Sequence, residues 1–305
     1  MTVQQSRFKY FLSALSAAII WGFFAIPLRE LQAYPAEQIL YCRILFSLGL
    51  TLVLLLVFRR QSIQGDLSNI KALPSSEKKK FLLYTLLAGV CITVNWYSFI
   101  YVINNVSLKS SAFAYMVCPL ITALGGFTLL KESATIYKVA GILLAVCSIL
   151  ILARGSFHDV IWSIFIATFY AAYLLIQRVT FQIDKLLLLG LQLMIATMII
   201  TPIFLFNHFT IPFDIPFWIN ISIIALFFTI IPLVLSLYAL MGLDSSTMGI
   251  IIYINPIVSF TVAFMYFNET VSGIQAVAYL LLFIAVVIFN WQFIKELNKG
   301  AKRTL

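Results

Sequence analysis

Apolar residues in this chain come in long blocks, without the strict alternation of a strand or the narrow stripe of a soluble helix. A helix needs about 20 mostly apolar residues to cross the hydrocarbon core of a bilayer. Read between polar breaks, the blocks predict ten spanning helices, at about 10–31, 36–58, 81–103, 108–130, 134–153, 157–180, 186–206, 216–240, 245–268 and 271–294. Some breaks are very short, such as Lys131–Ser133 and Asp244. Pro35, Pro212 and Pro216 fall in connections, whereas Pro27, Pro119, Pro202, Pro232 and Pro256 fall inside spans. An interior proline frees a carbonyl and kinks the helix, which is tolerated where neighbouring helices or a cavity satisfy the loose group. Pro27, Pro119, Pro232 and Pro256 are therefore the candidate kink and gating positions.

The pattern also repeats. Residues 119–133 read PLITALGGFTLLKES and residues 256–270 read PIVSFTVAFMYFNET. Each copy runs from a proline through an apolar segment to Glu132-Ser133 or Glu269-Thr270 at the same spacing, and each is followed by one more apolar block. Fixed spacing of this kind marks a duplicated unit. It divides the chain into residues 1–153 and 154–305, each with five predicted spans. An odd number of spans per half inserts the second half upside down relative to the first, the inverted-repeat plan of many carriers. The expected fold is thus an all-α polytopic membrane protein of ten helices in two inverted five-helix repeats.

Charge placement agrees with that count. With the N-terminus in the cytoplasm, ten crossings put nearly every Lys and Arg on the cytoplasmic side, and only Arg29, Lys109 and Arg154 on the far side. That is the positive-inside asymmetry, with both termini cytoplasmic. The net charge of +9 then belongs to helix ends and lipid head groups and calls for no nucleic acid. Residues 59–80, the longest polar stretch, read as a solvated loop that fixes orientation. Hydrophobic residues make up 62% of the chain and charged ones 10%. Soluble domains carry about 25% charge, so so few charges cannot cover a soluble surface.

Little catalytic chemistry is on offer. His158 and His208 are the only histidines, and no HExxH, GxxxxGK[ST] or Ser–His–acid set at membrane depth can be drawn. Cys42, Cys91, Cys118 and Cys147 all fall in spans without zinc-site spacing, and read as buried small residues. The first span begins after Arg7 and Lys9 and outlasts the apolar core of a signal peptide, so it reads as an uncleaved helix. No enzyme activity, cofactor or metal is assigned.

The informative polar residues are those inside spans. Arg43 is the one charge well within a span, about 10 Å along the second helix. Such a charge is a functional-site hypothesis, set against snorkelling toward the interface and pairing with Glu37 or Glu30. Trp21, Asn95, Trp96, Tyr101 and Asn104 form a polar–aromatic group, either lining a cavity or making helix–helix hydrogen bonds. Tyr115 and Tyr253 precede the repeat prolines, and Asn255 directly adjoins Pro256. Glu132 and Glu269 sit at membrane edges, where Ser133 and Thr270 read as N-caps of the next spans. No carboxylate is then left deep in the membrane for a proton relay.

Several segments resemble the EamA type of the drug/metabolite transporter superfamily, in its RarD-like branch. They are WGFFAIPLREL (21–31), PAEQILYCRILFS (35–47), NWYSFIYVINN (95–105), AYMVCP (114–119), FFTIIPLVLSLYAL (227–240) and YINPIVSF (253–260), with the LLKES and FNET ends. The resemblance implies a bacterial inner-membrane, multi-pass permease that exports metabolites, amino acids or drugs by alternating access. It implies a central cavity shaped by Trp21, Arg43, Asn95, Trp96, Asn104, Tyr115, Pro119, Tyr253 and Pro256. The chain differs from the family pattern at Cys42, Cys118 and Ile252, where RarD-like chains tend to carry His, Asn and Gln. The expected partners are a small-molecule substrate and the lipid bilayer, with a homodimer left open. Two other readings stay open: a flippase for lipids or lipid-linked sugars, and a membrane partner or sensor subunit that transports nothing.

Overall fold

The computed structural model describes residues 3–129, 131, 134–179, 183–243, 251–292 and 295. Among the described residues all regular structure is helical. The helices are α1 (Val3–Gly22), α2 (Ala25–Arg29), α3 (Ala36–Phe58), α4 (Arg60–Ala72), α5 (Ser75–Asn105), α6 (Leu108–Leu129) and α7 (Ile136–Gly155). They continue as α8 (Phe157–Val179), α9 (Lys185–Phe206), α10 (Ile215–Ala225), a π turn (Leu226–Ile230), α11 (Ile231–Leu240), α12 (Ile254–Met265) and α13 (Gly273–Phe289). Eight helical stretches are long and apolar enough to cross a bilayer among the described residues, counting α1–α2 and α10–α11 as one each; α12 and α13 are shorter apolar helices. Large apolar side chains such as Leu56, Phe58, Leu82, Leu143, Met198 and Phe206 point outward. In a chain this poor in charge, that is the surface lipid would cover. The molecule is a multi-pass membrane protein.

One core runs through the bundle, from Phe24, Leu28 and Ile39 to Ala278 and Leu282. α1 packs on α11 and α12, α8 on α5 and α6, α3 on α9 and α10, α5 on α9, α6 on α12, and α7 on α13. The connections sort onto two ends. At one end Tyr34 donates to Asp214 (2.8 Å), Arg29 to Glu269 (2.9 Å), Gln38 to the Thr210 carbonyl and Lys109 to the Thr270 carbonyl. The Asp214 carboxylate that accepts its proton holds the Tyr34 hydroxyl above the ordinary tyrosine range. At the other end Arg59 lies 3.9 Å from Asp184, the Asp184 N–H donates to Asp66 (2.8 Å), and Tyr10 packs on Tyr238. Successive long helices therefore run in alternate directions.

Three local readings change. Residues 59–80 contain helix α4, with Ile63 and Ile70 turned toward the core while every other position stays solvated or half covered. Its apolar residues, Ile63, Leu67 and Ile70, recur at helical spacing, the pattern of a helix lying in a membrane interface. The caps also move. Thr135 accepts from the Lys138 N–H at the start of α7, and Ser272 forms a capping box with Gln275 at the start of α13. Glu132 and Ser133 lie outside the described residues. Both caps stand three residues beyond the repeat glutamates, so the duplication extends further than the quoted segments. Lys131 (φ 54°) and Asn268 (φ 52°), at equivalent repeat positions, both take the left-handed conformation that ends a helix.

The third change concerns the prolines. Pro119 lies inside a continuous helix, α6. Pro27, Pro232 and Pro256 each sit in the first turn of a new segment, α2, α11 and α12, after the chain has already broken at 23–24, 226–230 or 253. For Pro27 and Pro256 the missing N–H then costs no intrahelical bond, whereas Pro232 follows the π turn without a gap and leaves the Phe228 carbonyl free.

Close helix crossings rest on small residues. A Cβ added at Gly141 of α7 would lie 2.7 Å from the Phe289 Cβ and 2.9 Å from the Ala285 carbonyl of α13, whereas one at Gly273 meets nothing. Small residues of this kind let helix backbones approach in lipid. Gly141→Ala should cost about 1–3 kcal/mol through overpacking and lower the apparent Tm of the detergent-purified protein. Gly273→Ala should leave it unchanged; equal Tm values for both variants would remove Gly141 from the crossing.

Candidate functional site

Two helix breaks, after Gly22 and at 226–230, lie close together, and each hands a backbone carbonyl to a side chain. α1 stops at Gly22, and the Ser259 hydroxyl of α12 donates to the Gly22 carbonyl (3.2 Å). Asn255 accepts a second contact from Ser259 (3.4 Å), and a Cβ at Gly22 would lie 2.4 Å from the Val258 Cβ. Pro232 has no N–H to give the Phe228 carbonyl one turn earlier, and the Trp21 indole N–H takes it instead (3.0 Å). Thr229, in the π turn, donates back to the Ile224 carbonyl (3.2 Å). A π turn exposes backbone groups and is frequent at functional sites.

Arg43 projects into this region from α3 and is 5% exposed. One guanidinium nitrogen donates to the Thr229 hydroxyl oxygen (3.3 Å), and the group lies 4.9 Å from the Phe24 ring centre and 5.1 Å from that of Trp96. Its Nη1 is buried with no hydrogen-bond partner, and no carboxylate pairs with it among the described residues. Glu37 instead accepts from the Tyr97 hydroxyl (3.0 Å). A charged side chain at the centre of a spanning helix costs about 2.5–3.5 kcal/mol on insertion. Ring faces within about 6 Å recover part of that cost, about 2 kcal/mol for a desolvated contact.

Around Arg43 the aromatic rings form a continuous cluster. Phe24 stacks on Phe99 and Phe228, both 5.6 Å away; Tyr115 meets Phe99 edge-on at 5.2 Å and Tyr170 at 5.4 Å. The expected residues Trp21, Arg43, Trp96 and Tyr115 thus gather here, and Asn255 adjoins them through Gly22. The others do not. Asn95 is fully buried and donates across to the Ile166 carbonyl of α8 (3.0 Å), a helix–helix bond that turns it away from Trp96. Tyr101 packs on Trp162 near one end of the bundle, whereas Tyr253 is buried in the same core with its hydroxyl unpartnered. Asn104 lies two turns beyond Trp96, about 12 Å along α5, with both amide atoms unpartnered.

Glu269 does not cap its own helix. Its carboxylate accepts the Leu108 N–H (2.9 Å) and the Lys109 N–H (3.2 Å) at the start of α6 as well as Arg29. It therefore ties α2, α6 and the α12–α13 connection together at one end.

Sequence reasoning missed Phe24, Phe99, Phe228, Tyr170 and Thr229. Thr229 had a signal: it is the hydroxyl residue closest before Pro232 in an otherwise apolar run. The rings had none, since apolar aromatic residues are everywhere in this chain.

Trp21→Phe keeps the ring and removes the donor. It should leave the Phe228 carbonyl buried and unpaired, at a cost of about 1–3 kcal/mol, and lower the apparent Tm. Pro232→Ala supplies a backbone N–H, so the penalty of Trp21→Phe should shrink in that background. Additive Tm losses in the double variant would show that the indole N–H is not there to serve this carbonyl.

Known proteins place this geometry. The family model described as "EamA-like transporter family" matches residues 8–154 and again 159–291. The chain is 26% identical to protein RarD of Escherichia coli (strain K12), over 99% of this chain and all of that one. It is 26% identical to the uncharacterized transporter YojE of Bacillus subtilis (strain 168), over 91% and 92% of the two chains. It is 28% identical to an uncharacterized transporter of Vibrio cholerae, over 94% and 93%. One crystal structure shares the fold with a TM-score of 0.60 at 14% identity, covering 92% of this chain and 95% of that one. The chain belongs to the EamA-like transporter family, as a RarD-like membrane permease.

Proposed function

We propose that this protein is a secondary transporter of ten spans in two inverted halves, 1–153 and 154–305, that carries small amphipathic metabolites, amino acids or drugs outward by alternating access. It would sit in a bacterial inner membrane with both termini in the cytoplasm. The observation that carries this reading is the exchange symmetry of the packing. Let α1 exchange with α8, α3 with α9, α5 with α10–α11, α6 with α12 and α7 with α13. The contact of α1 with α12 then becomes that of α8 with α6, α1 with α11 becomes α8 with α5, and α3 with α10 becomes α9 with α5. Three other extensive contacts, α3–α9, α6–α12 and α7–α13, map onto themselves, while smaller ones such as α5–α6 and α7–α8 have no equally extensive counterpart among the described residues. Two matches of one family model, one per half, support the same reading.

A symmetric interface of two similar halves has two mirror arrangements of comparable energy, which is what rocking around a fixed site requires. Arg43 and Trp21 from the first half meet Thr229 and the Phe228 carbonyl from the second, so the substrate site is assigned to this interface. The Arg29–Glu269 cluster joins the halves on the far side and would act as the outer gate. Without a carboxylate in the central cluster, exchange needs no proton relay there.

Counterflow in proteoliposomes, with a panel of labelled amino acids and small amphipathic drugs and with or without a pH gradient, tests the reading. Saturable exchange independent of the gradient is expected. No exchange by folded protein across the panel would overturn the carrier. Arg43→Ala should abolish exchange while the protein still inserts; unchanged exchange would take Arg43 out of the site. Joining Arg29→Cys to Glu269→Cys with a reducible cross-linker should stop exchange, and reduction should restore it. Full activity in the cross-linked state would exclude this end as a gate.

A further inference from the structure

The Arg43 niche is a charge balance left open. The guanidinium is 5% exposed, one nitrogen uses the Thr229 hydroxyl oxygen, and Nη1 has no partner. Thr229 is a neutral acceptor whose own proton goes to the Ile224 carbonyl, so it carries no charge to balance the guanidinium. No carboxylate pairs with Arg43 among the described residues; Glu37 accepts from Tyr97, and Glu269 from Arg29 and the α6 N-terminus. The rings of Phe24 and Trp96 can polarise toward a cation but cannot neutralise it. A buried guanidinium presents planar donor pairs that match a carboxylate.

Resting on the carrier reading above, we infer that the Arg43 niche binds a monocarboxylate with an apolar, ring-bearing body, so that the transported molecule supplies the counter-ion the protein lacks. One guanidinium balances one negative charge. A dianionic phosphate would leave net charge buried among Phe24, Phe99, Phe228 and Tyr115. A cation or free amine would meet like charge, and a neutral amide would leave Arg43 uncompensated. The rings around the charge select the body: they stack on a planar apolar group and offer few partners for a sugar.

The same balance favours exchange over net efflux. The empty carrier must move with its guanidinium unpaired, whereas the loaded one moves with the charge neutralised. An anion waiting on the far side should therefore speed release of the anion inside.

The test uses matched pairs: phenylacetate, indole-3-acetate and cinnamate, each against its primary amide, with phenethylamine and phenyl phosphate, a dianion, as further probes. Binding is read from intrinsic tryptophan fluorescence of the purified protein, since Trp21 and Trp96 adjoin the niche, and flux is read separately from counterflow. The wild-type protein should prefer at least one carboxylate over its amide by tenfold or more, in line with a hydrogen bond to a charged group. External carboxylate should also accelerate efflux of the labelled one. Arg43→Gln should bring the carboxylate-to-amide ratio to about 1, and Arg43→Lys, which keeps the charge, should retain part of the preference. Monodisperse elution shows that each variant is folded, and the wild-type selectivity needs no variant. Equal or better binding of every amide, of phenethylamine or of phenyl phosphate would overturn the inference, as would a carboxylate preference that survives Arg43→Gln. Saturable exchange of neutral molecules alone would sink the anion site and leave the carrier standing. Carboxylate binding without flux would do the reverse.

Discussion

In lipid no water reaches a loose backbone group, so a spanning chain can interrupt its helices only where another part of the protein takes the freed donors and acceptors. Two breaks inside this bundle, at the end of α1 and at the π turn, obey that constraint. The end of α1 is taken by Ser259, the carbonyl before Pro232 by Trp21, and the π turn by its own Thr229. The donors come from the opposite half of the chain or from the break itself, so the breaks and the interface between halves lie in one place. The binding chemistry collects there because irregular backbone and polar side chains are tolerated there.

Arg43 completes that region. A charge at this depth is retained against its insertion cost by ring faces and one hydroxyl, with a remaining donor unused. The arrangement combines a rigid aromatic frame with one strong unmet demand, which serves a site that must bind in passing and then let go. The Glu269 cluster contrasts with it: Arg29 and two backbone N–H groups already satisfy its carboxylate, as suits a joint between helices.

Much of this was legible in the residues. The blocks of apolar sequence located the helices, and the proline-to-glutamate spacing suggested the duplication on which the proposed inverted halves rest. The lone span charge led to Arg43, and its aromatic neighbours Trp21 and Trp96 stood out for the same reason. What failed was tertiary. Asn95 and Trp96 are adjacent in sequence but face different neighbours, α8 and Arg43, because successive helix residues point about 100° apart. Thr270 looked like a cap because it follows Glu269, yet the chain passes through left-handed Asn268 and α13 is capped two residues after Thr270, by Ser272. Helix α4 was hidden by its polarity, since one turn-spaced row of Ile63, Leu67 and Ile70 is a weak signal beside long apolar blocks. The π turn could not be read at all: Pro232 announces a loose carbonyl but not the extra residue that places Thr229 opposite Arg43.

The central claim is that the space around Arg43 and Thr229 opens alternately to the two sides of the membrane. The direct measurement places a single cysteine by Thr229→Cys in a chain whose Cys42, Cys91, Cys118 and Cys147 have been replaced, and labels it in oriented vesicles with a membrane-impermeant thiol reagent. Labelling from both sides, slowed on both by a transported molecule, is the predicted result. Labelling from one side only, or from neither while exchange continues, would contradict the account.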